Sequence, residues 1–177
     1  MSTLSQLQYP IGRPTLEATL SDARRRELID QIAAAPGAMA AAVAGLSEAE
    51  LDTPYRPGGW TVRQLVHHVA DSHINAYIRC KFALTEKRPT IMPYDQDAWA
   101  SLTDARTLPP AASLALLAAL HERWVTMWRA LGGAEFAREL HHPENGPMTL
   151  DAVLGMYAWH GRHHVAQLTG WREREGV

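Results

Sequence analysis

The chain has 177 residues, is 46% hydrophobic and carries a formal net charge of −2. This length is enough for one domain with a full core, so we expect residues 1–177 to form a single domain. The balanced charge excludes the basic surface that nucleic-acid-binding proteins use. No apolar stretch approaches the roughly 18 residues of a membrane span, so no membrane partner is expected either.

Cysteine usage bears on the compartment. Cys80 is the only cysteine, which excludes an internal disulfide and a thiolate zinc cluster. Residues 1–10 lack the basic start and the apolar core of a signal peptide. We therefore expect a protein of the reducing cytoplasm.

Four long helical patterns are predicted in chain order, and they span residues 21–46, 61–85, 113–131 and 149–172. In the first, Pro36-Gly37 predicts a kink or a break. The second opens at a capping box formed by Thr61 and Gln64. The fourth begins at Thr149, which is a good N-cap residue. A further capping box, Ser47-Glu48-Ala49-Glu50, predicts a short helical turn between the first two helices.

These patterns, without a convincing strand, predict an all-α fold: a four-helix bundle with long crossover connections. The connections 86–112 and 132–148 exceed the usual bundle loop of about 2–8 residues. We expect helices two and four to face each other in a non-consecutive, antiparallel order. The first connection is rich in aromatic residues and is expected to pack across one end of the bundle. Residues 1–20 are predicted to form an extended N-terminal arm.

A pair of histidines in the fourth helix is the main functional signal. His160 and His164 are four residues apart, so their imidazoles stack on one helix face. His164 falls within the apolar stripe of this helix and His160 at its edge, whereas His163 lies off the stripe. Buried imidazoles need partners. A shared metal ion is one solution, and separate hydrogen bonds to polar neighbours are the alternative.

The pattern leaves the third ligand open. On the second helix His73 lies at the centre of the apolar stripe, and His67 and His68 flank it on opposite sides. His121, on the third helix, is a further candidate. The loop residues His141 and His142 are expected to be exposed, because ligands on loops are held less rigidly.

The chain resembles the DinB/YfiT-like family of proposed metal-dependent hydrolases. The resemblance is carried by Gly58-Gly59-Trp60-Thr61-Val62-Arg63-Gln64, by His67-His68-Val69-Ala70-Asp71-Ser72-His73, and by residues 9–12, 51–56, 88–89, 93–94, 98–99, 113–117, 120–121, 123–124 and 157–160. These short matches are collinear over nearly the whole chain. They are therefore more specific than an isolated pair of histidines.

The resemblance implies a four-helix bundle that binds one divalent metal ion, zinc or nickel, through three histidines and that often dimerises. Carried over residue by residue, the metal ligands are His68, His160 and His164. The resemblance also implies hydrolysis of a small-molecule substrate by metal-activated water. Gly161 stands where a His-Glu-x-x-His protease has its general base, so the catalytic base is not identified.

Two alternatives to hydrolysis stay open. Relatives in the wider superfamily are associated with transfer of low-molecular-weight thiols, which implies a bacillithiol S-transferase as one alternative. The other is a bundle in which the metal has a stabilising role only. We also expect a homodimer, because the N-terminal arm has no obvious surface of its own chain to cover and because the resemblance implies one.

Overall fold

The structure is a computed structural model that describes residues 3–177. Its elements, in chain order, are α1 Leu4–Gln8, α2 Asp22–Val43, α3 Glu48–Leu51, α4 Val62–Thr85, α5 Gln96–Ala100, α6 Thr103–Thr107, α7 Ala111–Arg129, α8 Gly133–Phe136, β1 Glu139–His142, β2 Gly146–Thr149 and α9 Leu150–Glu175. Helices α2, α4, α7 and α9 correspond to the four predicted patterns. Within these residues, no helix has both the length and the apolar character that crossing a bilayer requires.

The caps predicted from the sequence are present. Thr61 and Gln64 form a reciprocal capping box at the start of α4, and Ser47 and Glu50 form another at α3. Thr149 accepts a hydrogen bond from the main chain of α9. Each box satisfies main-chain donors that a helix start otherwise leaves unpaired.

Helix α2 continues through Pro36, so the break considered at Pro36-Gly37 does not occur. Proline has no N–H, and the carbonyl of Ile32, four residues earlier, therefore loses its normal helical donor. The Ile32 carbonyl instead lies 2.7 Å from Nδ1 of His121 on α7. A neighbouring helix thus replaces the missing hydrogen bond, and α2 keeps its helical path.

The four long helices pack in the cyclic order α2, α9, α4, α7. Helices α2 and α9 are parallel, since Arg25 and Asp151 join their N-terminal ends while Arg172 donates to the Ala42 carbonyl near their C-terminal ends. The order is non-consecutive and α4 packs on α9, as predicted. The prediction of antiparallel neighbours was wrong for α2 and α9.

Helices α4 and α7 are also parallel. His67 contacts Ser113 near the start of both helices, and His73 contacts His121 further along both. A connection between parallel helices must return along the length of the bundle. This requirement explains the long segment 86–110, which contains α5 and α6 and packs on the first turns of α4.

A short antiparallel hairpin, β1 and β2, precedes α9. The sequence analysis did not predict it. Its register pairs Leu140 with Met148, whose side chains are both buried in the core. The main chain of His141 also exchanges hydrogen bonds with Pro89 and Ile91, so the hairpin fastens the crossover to the bundle.

The N-terminal arm lies on its own bundle. The prediction that residues 1–20 are extended was wrong in part, because α1 is helical and carries its own capping box. Residues 1 and 2 lie outside the described residues. The Gln8 carbonyl accepts a hydrogen bond from Gln167, and the Gly12 carbonyl accepts one from Trp159. The arm therefore has a surface on α9 to cover, which removes one reason for expecting a dimer.

A buried ion pair fixes the N-terminal end of α9. Both carboxylate oxygens of Asp151 accept hydrogen bonds from Arg25, at 2.8 and 2.7 Å, and the Leu20 amide donates to the same group at 2.9 Å. Asp151 is 1% exposed. Removing one member of a buried pair leaves the other without compensation, which is strongly destabilising.

We predict that Asp151→Asn lowers the free energy of unfolding by about 3 kcal/mol, because Arg25 then lacks its buried counter-charge. Asp30→Asn is the matched control, since Asp30 pairs with Arg129 on the exposed surface and such pairs contribute less than about 1 kcal/mol. Urea unfolding followed by circular dichroism measures both. Equal losses in the two variants would contradict this assignment.

Candidate metal centre

Three histidines converge between α4 and α9. His68 comes from α4, His160 and His164 come from α9, and the nitrogens they offer lie within 4.8 Å of one another. The two helices run antiparallel, which places His68 opposite the pair. The His68 ring centroid is 5.4 Å from that of His160 and 5.1 Å from that of His164. These are the three residues that the family resemblance assigned as ligands.

The environment keeps these imidazoles neutral. Burial lowers the pKa of His68 to about 4 and the pKa values of His160 and His164 well below the usual value. Mutual repulsion among the rings lowers them further. A neutral imidazole has one unprotonated nitrogen, which is the form that binds a metal ion.

Gln167 orients His164, and the sequence analysis missed it. The side-chain nitrogen of Gln167 donates to the Gln8 carbonyl at 2.7 Å, which fixes the orientation of its amide. The amide oxygen therefore accepts from Nδ1 of His164, also at 2.7 Å. This bond leaves Nε2 of His164 unprotonated. Its spacing, three residues after His164 on one helix face, was the available sequence signal.

The ligand pair also fits a metal by distance. Nε2 of His164 lies 3.2 Å from Nε2 of His160. On its other side His160 presents Nδ1 to Nε2 of His73 at 3.1 Å. A set of three neutral imidazoles beside an open cavity is the donor set of catalytic zinc sites. The residues therefore fit a borderline divalent ion.

Two of the alternative third ligands lie behind the cluster and not in it. His73 is 0% exposed, and its Nδ1 lies 2.7 Å from Nε2 of His121. Both nitrogens of His73 are thus occupied by other histidines. His121 is likewise occupied, by His73 and by the Ile32 carbonyl.

His67 points away from the cluster. Its Nδ1 lies 2.7 Å from the Ser113 hydroxyl and its Nε2 lies 3.0 Å from the Leu108 carbonyl. Since the carbonyl can only accept, Nε2 of His67 carries a proton. His67 therefore holds the crossover on α4.

His163 lies off the ligand face, as the helical pattern predicted. Its ring stacks on Trp159 with centroids 4.3 Å apart, and Tyr9 of the N-terminal arm lies 5.7 Å away. The arm buries His163, which was not expected. The loop residues His141 and His142 lie in β1, outside the cluster.

A cavity of about 430 Å³ opens in front of the three histidines. Its lining includes the aromatic residues Tyr9, Trp60 and Trp159, the positively charged Arg56 and the negatively charged Asp97. Tyr9 belongs to the N-terminal arm. Trp60 packs on His68 with ring centroids 4.5 Å apart and donates to Asp97, which belongs to the crossover. The crossover thus contributes Asp97 to the lining of the cavity.

Known proteins share both the sequence and the fold. The sequence profile of the DinB superfamily matches residues 31–168. A Bacillus mycoides (strain KBAB4) protein named "Putative metal-dependent hydrolase" is 48% identical, over 97% of this chain and 98% of that protein. A protein of the same name from Bacillus cereus (strain 03BB102) is 47% identical over the same shares.

A solved structure agrees with these relatives. YfiT from Bacillus subtilis, described as "a probable metal-dependent hydrolase with an unusual four-helix bundle topology", superposes with a TM-score of 0.94. It is 45% identical, and the match covers 97% of this chain and 98% of that one. The predicted all-α bundle and the family resemblance are confirmed. The chain belongs to the DinB superfamily.

Proposed function

We propose that this protein is a metal-dependent hydrolase in which His68, His160 and His164 bind one divalent metal ion. The observation that carries the proposal is the convergence of three neutral, largely buried imidazoles on the wall of a cavity. The names of the relatives support the same reaction class. Zinc is the ion we propose, with nickel as the other ion that such ligands accept.

Held by these three imidazoles, such an ion would acidify a water molecule and polarise a carbonyl. Residues of the chain orient and shield the histidine ligands. Gln167 keeps Nε2 of His164 directed at the site. Trp60 covers His68 and limits the access of solvent to it.

The cavity suits a small molecule as substrate. Its volume of about 430 Å³ lies toward the lower end of ordinary ligand sites. Arg56 donates to the Tyr55 hydroxyl and the Pro57 carbonyl, which are neutral acceptors, so its charge is available to a polar substrate group. We propose the cytoplasm as the compartment, because the single cysteine Cys80 is a buried free thiol.

His164→Ala should abolish stoichiometric metal binding. Two imidazoles form a much weaker site than three, and loss of even an outer-shell partner costs about 10–100-fold in affinity, so a larger loss is expected here. His163→Ala is the control, and it should keep one metal ion per chain. Metal content after dialysis of tag-free protein is the measurement. Full occupancy in the first variant, with loss in the second, would mean that the ligands lie on the other face of α9.

Hydrolysis should depend on the metal and not on a thiol. We expect ester or amide cleavage by the zinc-loaded protein to stop on chelation and to return when zinc is added. A panel of small esters, amides and electrophiles, each with and without bacillithiol, is the assay. Turnover of an electrophile that requires bacillithiol would establish an S-transferase instead. Metal that raises the unfolding temperature without any turnover would leave only the stabilising role.

We also propose that the protein is a homodimer, as the family resemblance implies. Leu116 on α7 and Ile78 and Phe82 on α4 are about half exposed, so they offer apolar surface to a second copy of the chain. Light scattering at micromolar concentration should give about twice the chain mass of 19.6 kDa. A mass near that of one chain would refute dimerisation.

A further inference from the structure

We infer that His73 and His121 are positioning residues that, anchored on the main-chain carbonyl of Ile32, hold His160 in the tautomer whose Nε2 is free to bind the metal. The inference rests on the metal site proposed above. It adds a role for two buried histidines that do not reach the ion. It also assigns a role to Pro36, because the missing N–H of this proline leaves the Ile32 carbonyl free to accept a hydrogen bond from His121.

We call the series of hydrogen bonds that joins the Ile32 carbonyl, His121, His73 and His160 the relay. It begins at a group that can only accept. The Ile32 carbonyl lies 2.7 Å from Nδ1 of His121, so this nitrogen must carry a proton. Burial lowers the pKa of His121, so the ring is neutral and its Nε2 is unprotonated. Ile32 is 0% exposed, which excludes solvent from this end of the chain.

Each later bond follows from the one before it. The unprotonated Nε2 of His121 lies 2.7 Å from Nδ1 of His73, which must therefore donate. His73 is fully buried and both of its nitrogens face only other histidines, so its ring is neutral; with Nδ1 donating, Nε2 can only accept. Its partner at 3.1 Å is Nδ1 of His160, which then carries the proton. The Ile32 carbonyl thus sets the tautomer of His160 through His121 and His73.

The reverse order of donors is disfavoured by the anchor. If Nε2 of His160 carried the proton, His73 and His121 would both donate in the opposite direction. Nδ1 of His121 would then face the Ile32 carbonyl as a second acceptor, at 2.7 Å and away from water. Two buried acceptors in contact lose both hydrogen bonds, which is costly.

The tautomer of His160 decides how it meets His164, the other ligand on α9. In the favoured tautomer His160 cannot donate to His164, so the two Nε2 atoms present lone pairs to each other at 3.2 Å. A cation bound by both nitrogens relieves this repulsion. The relay cannot carry protons to solvent, because it ends on a carbonyl. Its effect is to make a metal ion the best partner of His160.

Close packing of α2 on α9 keeps the relay in place. A Cβ atom added at Gly161 would lie 3.1 Å from Cβ of Ala35 and 3.7 Å from the ring of His73. Gly161 thus lets α2, the helix that bears the Ile32 carbonyl, approach α9 closely beside His73. A larger residue there would push apart the elements that form the relay.

Long-range proton–nitrogen NMR of the metal-free and zinc-loaded protein tests the inference directly, without any substitution. We expect His73 and His121 to be neutral Nδ1–H tautomers in both forms, and His160 to be Nδ1–H with zinc on Nε2. An Nε2–H signal from His73 in either form would overturn the inference. Because the signals of His73 and His121 can be read without metal, this result does not depend on the metal proposal.

Substitutions at the anchor give a second test. His121→Leu should weaken zinc binding about 10–100-fold, as expected for loss of an outer-shell partner. His121→Gln should restore affinity to within about threefold of the wild type, because its amide can donate to the Ile32 carbonyl and accept from His73. His67→Leu is the matched control: it removes a buried, carbonyl-bonded histidine that is not in the relay.

Competition with a fluorescent zinc chelator measures the four affinities, and circular dichroism selects folded variants. Equal losses in His121→Leu and His67→Leu, or no rescue by His121→Gln, would show that His121 acts only in packing. If the wild type binds no zinc, the metal proposal fails. If it binds zinc normally and His121→Leu does so equally well, the relay alone fails.

Discussion

The constraint on which this structure depends is that burying an imidazole is costly unless its ring nitrogens find hydrogen-bond or metal partners. Six histidines are buried in the described part of the bundle, and His160 is partly buried. His67, His73 and His121 use both nitrogens in hydrogen bonds to other protein groups. His160 and His164 use one each and turn the other toward a common point. This division separates structural histidines from candidate ligands.

The same constraint links the fold to the site. Pro36 removes a main-chain donor from α2, and His121 of α7 supplies another to the Ile32 carbonyl. From there, hydrogen bonds cross the bundle through α4 to α9. The proline that removes one hydrogen bond from α2 thus leaves a main-chain carbonyl from which hydrogen bonds link all four helices. The parallel pairing of α4 with α7 is what brings His73 and His121 together, and the long crossover is the cost of that pairing.

Local signals in the sequence predicted the helices well, because caps and apolar periodicity act within a few residues. Thr61 and Thr149 marked the starts of α4 and α9 correctly. The parallel helix pairs, the hairpin and the arm's contact with α9 were not predicted, since they depend on contacts between distant segments.

For the site, the spacing of His160 and His164 was sufficient to place them on one face. The choice of His68 over His67 and His73 needed the family resemblance, because all three lie on or beside the apolar stripe. Gln167 and the order of donors through His73 emerge only from three-dimensional distances.

Anomalous X-ray diffraction from crystals of tag-free, zinc-loaded protein tests the metal centre most directly. The account predicts one anomalous peak per chain, about 2.0–2.1 Å from a ring nitrogen of each of His68, His160 and His164. In that structure Nδ1 of His160 should remain in contact with His73. A peak at His141 and His142, or a fully loaded crystal without a peak among the three histidines, would contradict it.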